Sequence, residues 1–181
     1  MKVEKILSTA GFEKRTVVCF DLPTEHLNSK TTVTSNKGLV TYVMRLGLPE
    51  DQVRLLRNLR ANFYNFLHRN CFKAPLGWIT LKDVDYTTLH DYMKQFNSIL
   101  KPFLEKERII ELVDIYLPKH QTVVWLKQYI KHVKADIEKL NEKLQENQEK
   151  VKVAQQIKWK INRQIKILKK LEAELRSMGG A

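Results

Sequence analysis

The chemistry that this sequence can support is concentrated in a basic segment near its C-terminus. Residues 150–170 include one tryptophan, Trp159, and no acidic residue, and their cations are Lys150, Lys152, Lys158, Lys160, Arg163, Lys166, Lys169 and Lys170. Clustered cations neutralise phosphates and release their counterions, and an exposed indole stacks on bases or packs against sugars. The segment therefore predicts binding to a polyanion such as nucleic acid, and it favours a binding protein over an enzyme.

Helical spacing places Trp159 on the opposite side of this segment from its apolar residues. At 100° per residue, an apolar arc centres on Ile161, and Trp159 lies on the far face. The cations that share that face are Lys152, Arg163, Lys166 and Lys170, and Lys158 and Lys160 flank Trp159 in the chain. We predict that these residues contact nucleic acid. The alternative is that the lysines only keep a long helix soluble while another part of the chain covers Trp159.

A second basic row lies in a predicted helix over residues 49–70. Arg54, Arg57 and Arg60 recur every third residue and share a broad outward surface. Arg54 and Arg57 could extend the phosphate-binding track, or the row could be an ordinary polar face opposite Leu56 and Phe63. The pattern leaves both interpretations open.

Carboxylates near predicted strand ends suggest a third chemistry. Asp21 could meet Asp83, Asp85 or Asp114, and clustered carboxylates bind Mg²⁺ for phosphodiester hydrolysis. Residues 16–23 and the coarse element order resemble the small ferredoxin-like nucleases of CRISPR adaptation, which have an aspartate after their first strand. The resemblance implies a metal-dependent nuclease. The C-terminal segment and an insertion at 31–46 depart from that family, so no catalytic role is transferred to Asp21. A turn or cap carboxylate beside Pro23 is the favoured interpretation of that residue.

Other catalytic and cofactor motifs do not occur in the sequence. The five histidines form no pair at metal-ligand spacing, and no Gly-rich phosphate loop or Ser-centred elbow is present. We therefore expect no cofactor and no metal, and nothing in the sequence indicates nucleotide hydrolysis or acyl transfer.

Composition places the chain among basic, soluble proteins. The 181 residues carry a net charge of +12, and the part from Lys119 onward, with fifteen Lys or Arg against seven Asp or Glu, supplies +8 of it. Two cysteines make no disulfide framework, and no signal peptide or membrane-spanning run is evident. These features predict a cytoplasmic protein with no membrane partner.

The first 118 residues are predicted to form a small α+β head. The expected order is a strand at 15–20, a hairpin at 31–46, a helix at 49–70, a strand at 76–82, a helix at 85–104 and a strand at 108–117. This alternation suggests a ferredoxin-like sheet with helices on one face.

Residues 119–178 are predicted to form one long basic amphipathic helix, followed by a flexible end at 179–181. Residues 122–178 lack proline and glycine, and their apolar residues follow a coiled-coil rhythm that includes Asn147 and slips near Ile157. Such a helix would extend roughly 85 Å and must pair. Five acids in 135–149 precede the basic segment, which favours antiparallel pairing, either in a hairpin that bends at 145–148 or in a dimer. The lack of turn residues favours the dimer.

Together these patterns predict a non-enzymatic nucleic-acid-binding protein that oligomerises through its C-terminal coiled coil. One alternative is a scaffold protein that binds a protein partner through the coiled coil. The second alternative is a metal-dependent nuclease in the head.

Overall fold

The computed structural model describes residues 2–20, 48–103 and 110–180. The predicted hairpin at 31–46 and Asp21 lie outside the described residues. The chain divides into two compact units, one comprising Arg15–Ile115 and the other Met1–Lys14 with Tyr116–Ala181.

The described elements make the protein a mixed α+β structure, as predicted. In chain order they are α1 (Lys2–Thr9), β1 (Phe12–Phe20), α2 (Glu50–Asn70), β2 (Cys71–Ala74), β3 (Gly77–Thr80), α3 (Tyr86–Leu100), a 3₁₀ turn (Lys101–Phe103), β4 (Ile110–Pro118), α4 (Lys119–Glu146) and α5 (Val151–Ser177). Helix α1 and strand β2 were not predicted. Strand β2 begins directly after α2 with no breaker between them, so the helical pattern of α2 hides its start.

The four strands form an antiparallel sheet in the order β2-β3-β1-β4. Strand β3 pairs with both neighbours, so Trp78 lies opposite Val18 on one side and Lys73 on the other. Gly77 begins β3 at φ +131°, and a Cβ there would lie 2.8 Å from the backbone oxygen of Val18. Only glycine fits where the turn between β2 and β3 approaches β1 this closely.

Aromatic side chains fill the core between the sheet and helices α2 and α3. Trp78 is 1% exposed and packs edge-on against Tyr64 and His68 of α2, with ring centroids 6.3 and 4.8 Å away. Phe63 of α2 meets Phe96 of α3 at 5.4 Å. The opposite face of the sheet is also buried, including Val17, Phe72 and Ile79. Helices α2 and α3 account for the first of these two buried surfaces only.

The starts of α2 and α3 follow their predicted sequence signals. Pro49 precedes α2, and Glu50 and Asp51 fill its first turn, where acids complement the exposed amides. Asp85 caps α3 and accepts hydrogen bonds from the Thr88 amide at 3.1 Å and the Thr88 hydroxyl at 2.6 Å. Both helix starts depend on residues that are close in the sequence, which is why the sequence could predict them.

The C-terminal segment forms two helices rather than the one long helix that was predicted, and the described residues do not show a long coiled coil. Helix α4 ends at Glu146, a turn follows, and α5 begins at Val151 and packs along α4. Asn147 terminates α4 because its side-chain amide donates to the Lys143 oxygen at 2.9 Å and so competes with continuation of the helix. The turn closes when the Lys150 amide donates to the Asn147 oxygen at 3.0 Å. Folding back buries within one chain the apolar face that an extended helix would expose.

We call the pair α4 and α5 the hairpin. Its interior includes Leu126, Ile130 and Val133 of α4 and Ala154, Ile157, Ile161 and Leu171 of α5, all buried. Lys134 and Glu172 form an ion pair at 3.1 Å across it. Ile167 and Glu174 are also buried, although they lie about 120° and 140° from Ile161 at 100° per residue. The buried face is therefore wider near the end of α5 than the apolar pattern predicted.

The N-terminal segment belongs to the same compact unit as the hairpin. Helix α1 ends in a turn at Gly11, whose φ is +81°. The backbone oxygen of Gly11 accepts a hydrogen bond from the amide of Lys119, the first residue of α4, at 2.9 Å. This bond satisfies one of the free amides at the start of α4.

None of the helices in the described residues combines the length and the apolarity needed to cross a bilayer.

Candidate nucleic-acid interface

The exposure of Trp159 follows from the orientation of α5. Ala154, Ile157 and Ile161 face the interior of the hairpin and are at most 9% exposed, whereas Trp159 is 61% exposed. Trp78, by contrast, is almost fully buried in the sheet unit. An indole of this size on the outer face of a helix is an exception to the burial of large apolar side chains.

Trp159 forms part of an open depression on the surface of α5. The depression measures about 520 Å³, and its lining consists of Lys152, Gln155, Gln156, Trp159 and Lys160. The guanidinium carbon of Arg163 lies 5.7 Å from the centroid of the Trp159 ring, within cation–π range. The predicted residues Lys152, Trp159 and Lys160 thus meet in one place, and Arg163 lies beside them.

The remaining predicted cations of α5 extend this surface along the helix. Lys152, Trp159 and Lys166 are seven residues apart, which places them in one row at intervals of roughly 10 Å. Lys158, Lys166 and Lys170 are exposed, and Arg163 is half-buried. We call the exposed row Lys152, Trp159 and Lys166, with Lys158 and Lys160 beside it, the basic face. An anionic chain that followed the helix could contact several of its cations at once.

The depression does not include the second predicted basic row. Arg54 and Arg57 are exposed on α2, in the Arg15–Ile115 unit, and Arg60 is half-buried. They line no part of the depression.

Gln155 and Gln156 are the residues of this site that the sequence pattern did not single out. They precede Trp159 by four and three residues, so they are neighbours of Trp159 on the helical face. A search for uncharged hydrogen-bonding side chains at those spacings would have found them, whereas a search for charge did not.

Two of the carboxylates considered for a metal site have structural partners. Asp85 caps α3, and Asp114 accepts a hydrogen bond from the hydroxyl of Thr16 at 2.8 Å. Within 2–20, 48–103 and 110–180, no group of three or more His, Cys, Asp or Glu is placed to hold a metal ion. The proposed meeting with Asp21 lies outside these residues.

Two potentially reactive side chains of the sheet unit are held in their neutral forms. Burial, with a smaller effect of Glu111, raises the pKa of the Cys19 thiol, so the nucleophilic thiolate is disfavoured. Burial also raises the pKa of Tyr64, and nearby Arg60 offsets this only in part. Neither group has the lowered pKa of an activated nucleophile.

Comparison with known proteins leaves the site to be interpreted from its own geometry. No protein-family model, curated protein or solved structure matches this chain.

Proposed function

We propose that this protein binds nucleic acid without catalysis, through the basic face of α5, with phosphate contacts supplying most of the affinity. The observation that carries the proposal is the exposed indole of Trp159 set among lysines in a helix segment without acids. A nucleic acid offers both chemistries that this surface provides for, namely anionic phosphates for the lysines and aromatic bases for the indole.

Charge along the hairpin supports this choice of partner. In α4, between positions 136 and 146, four acids outnumber two lysines, so that stretch carries a net charge of −2; they are Asp136, Glu138, Glu142 and Glu146 against Lys139 and Lys143. The stretch of α5 from Val151 to Lys170 contains no acid. Cations of one segment repel one another, and a polyanion relieves that repulsion as it binds.

A protein partner with an acidic surface would contact the same lysines, but it would offer no nucleic-acid base for the indole to stack on. The scaffold alternative requires a coiled coil that docks on a protein partner, whereas α4 and α5 pack against each other and bury apolar residues within one chain. For the same reason we propose that a single hairpin, rather than an antiparallel dimer, forms the binding surface. The head is proposed to be ferredoxin-like, because from β1 to β4 its main described elements follow the order strand, helix, strand, strand, helix, strand.

The proposal is tested by measuring the affinity for a fluorescent 30-nucleotide strand and the matching duplex across a salt series. We expect affinity to fall steeply as salt rises, because each phosphate contact releases a counterion. The double variant Lys152→Glu, Lys166→Glu should weaken binding at least tenfold and flatten the salt dependence. The molecular mass of the free protein should correspond to one chain. The mass of the complex should correspond to one chain plus one nucleic-acid ligand.

A matched control separates the basic face from net charge. The variant Lys139→Glu, Lys143→Glu makes the same change of charge on the same hairpin, within the acid-rich stretch of α4. It should bind nearly as well as the wild type. Equal loss in both double variants, or no binding by the wild type at low salt, would contradict the proposal.

A further inference from the structure

The surroundings of Trp159 differ on its two sides along the helix. Arg163 follows it by four residues, and its guanidinium lies 5.7 Å from the ring centroid. Lys152, Gln155 and Gln156 precede it and line the depression together with Lys160. The indole thus forms one wall of a space whose other walls carry two carboxamides and two ammonium groups.

This combination of groups matches a nucleotide better than it matches an anion alone. Each glutamine carboxamide offers both hydrogen-bond donors and an acceptor, as the edge of a base requires. The indole offers an aromatic surface for stacking, and the lysines offer charge for the phosphates on either side. A polyanion without bases would use the lysines and leave the indole and both carboxamides without a role.

The exposed position of the indole also favours single strands over duplexes as ligands. In a duplex the faces of the bases are stacked on one another and are closed to side chains. Bases of a single strand can turn outward and stack on an aromatic ring. Trp159 lies on the outer surface of a helix whose interior side is packed, so an outward-turned base can approach it from solvent.

We infer that the depression beside Trp159 is a stacking site for one base of a single-stranded nucleic acid, with Gln155 and Gln156 facing the base edge. This inference rests on the proposed function, because the lysines must first hold the backbone. The surface then prefers single strands over duplexes of equal length.

The test compares four fluorescent ligands of fifteen residues at one low salt concentration: oligothymidine, oligouridine, an abasic DNA strand and a duplex. The abasic strand keeps the phosphates and removes the bases. We expect the wild type to bind oligothymidine about tenfold more tightly than the abasic strand, the order of effect of one stacked base. Trp159→Ala should abolish this difference, and Trp159→Phe should retain part of it.

Three further measurements check this result. Val151→Ala truncates another exposed side chain of α5, 65% exposed in the wild type, and should leave all four affinities unchanged. Oligothymidine should quench tryptophan emission in the wild type but not in Trp159→Phe. Since Trp159 is exposed, circular dichroism of its variants should match that of the wild type.

The possible outcomes separate the two proposals. Equal, salt-dependent affinity for the base-containing and abasic strands would overturn the stacking site and leave the phosphate-binding function intact. Failure to bind any ligand would overturn both. Tighter binding of oligothymidine or oligouridine than of the abasic strand, when lost in Trp159→Ala, supports the stacking site.

Discussion

At the scale of single residues, Gly77 is the position where the backbone leaves least freedom. Its φ of +131° is nearly exclusive to glycine, and an added Cβ would meet the Val18 backbone oxygen at 2.8 Å. Gly77→Ala should lower the free energy of unfolding by roughly 2 to 3 kcal/mol, measured by urea denaturation.

Gly11 is a matched comparison for Gly77. It also has positive φ, at +81°, but nothing lies within 4 Å of an added Cβ. Gly11→Ala should therefore cost only the conformational term, about 1 kcal/mol. Equal losses in the two variants would contradict the role assigned to the contact with β1.

Asp85 provides a pH-dependent contribution to the stability of α3. Hydrogen bonds from the side chain and the backbone of Thr88 hold the pKa of its carboxyl below the ordinary value of 3.8. A lowered pKa in the folded state stabilises the protein above pH 3.8, and this contribution is lost as the pH falls through the lowered value. Wild type should thus exceed Asp85→Asn in stability at pH 6, and the difference should narrow by pH 3.

Chemical denaturation at the two pH values measures that difference directly. Thr88→Val provides a second check, because it removes the 2.6 Å hydroxyl donor and should raise the pKa of Asp85 in an NMR titration. A stability difference that stays constant between pH 6 and pH 3 would show that the charge of Asp85 contributes nothing.

At the scale of elements, the hairpin is the feature that sequence patterns predicted least well. The apolar spacing correctly indicated helices on both sides of Asn147, and the charge pattern correctly favoured antiparallel pairing. A hairpin that bends at 145–148 was the less favoured of two predictions, because 147–150 contains neither glycine nor proline. It depends instead on a side-chain hydrogen bond of Asn147 and on the burial gained by folding back, which is a tertiary effect that local pattern does not encode.

The Lys134–Glu172 ion pair makes the intramolecular hairpin testable. A carbodiimide joins an amine to a carboxylate in direct contact, and these groups lie 3.1 Å apart. In a mixture of isotopically heavy and light chains, we expect mass spectrometry to find cross-linked peptides that carry a single label. Peptides of mixed label would instead indicate pairing between chains. Lys134→Arg keeps the charge but lacks the reactive amine, so its cross-link should disappear.

At the scale of the whole molecule, the sequence was sufficient for elements with strong local signals. Helices α2 and α3 have apolar periodicity and clear starts, and β1, β3 and β4 have β-branched or apolar runs. The four residues of β2 give too little periodicity to recognise, and their identity depends on pairing with β3. The candidate site was likewise predicted only in part. Helical spacing placed Trp159 opposite the apolar face, whereas Gln155 and Gln156 were recognised only from the depression that they line in the structure.

The hairpin and the sheet unit also differ in how far apart along the chain their contacts lie. Helices α4 and α5 are joined by a four-residue turn, whereas the sheet unit must bring Thr16 to Asp114, 98 positions away. Contacts between near neighbours form faster than contacts that close long loops. We therefore expect the hairpin to assemble first during folding, so that the basic face is in place while β1 still awaits its partner strands.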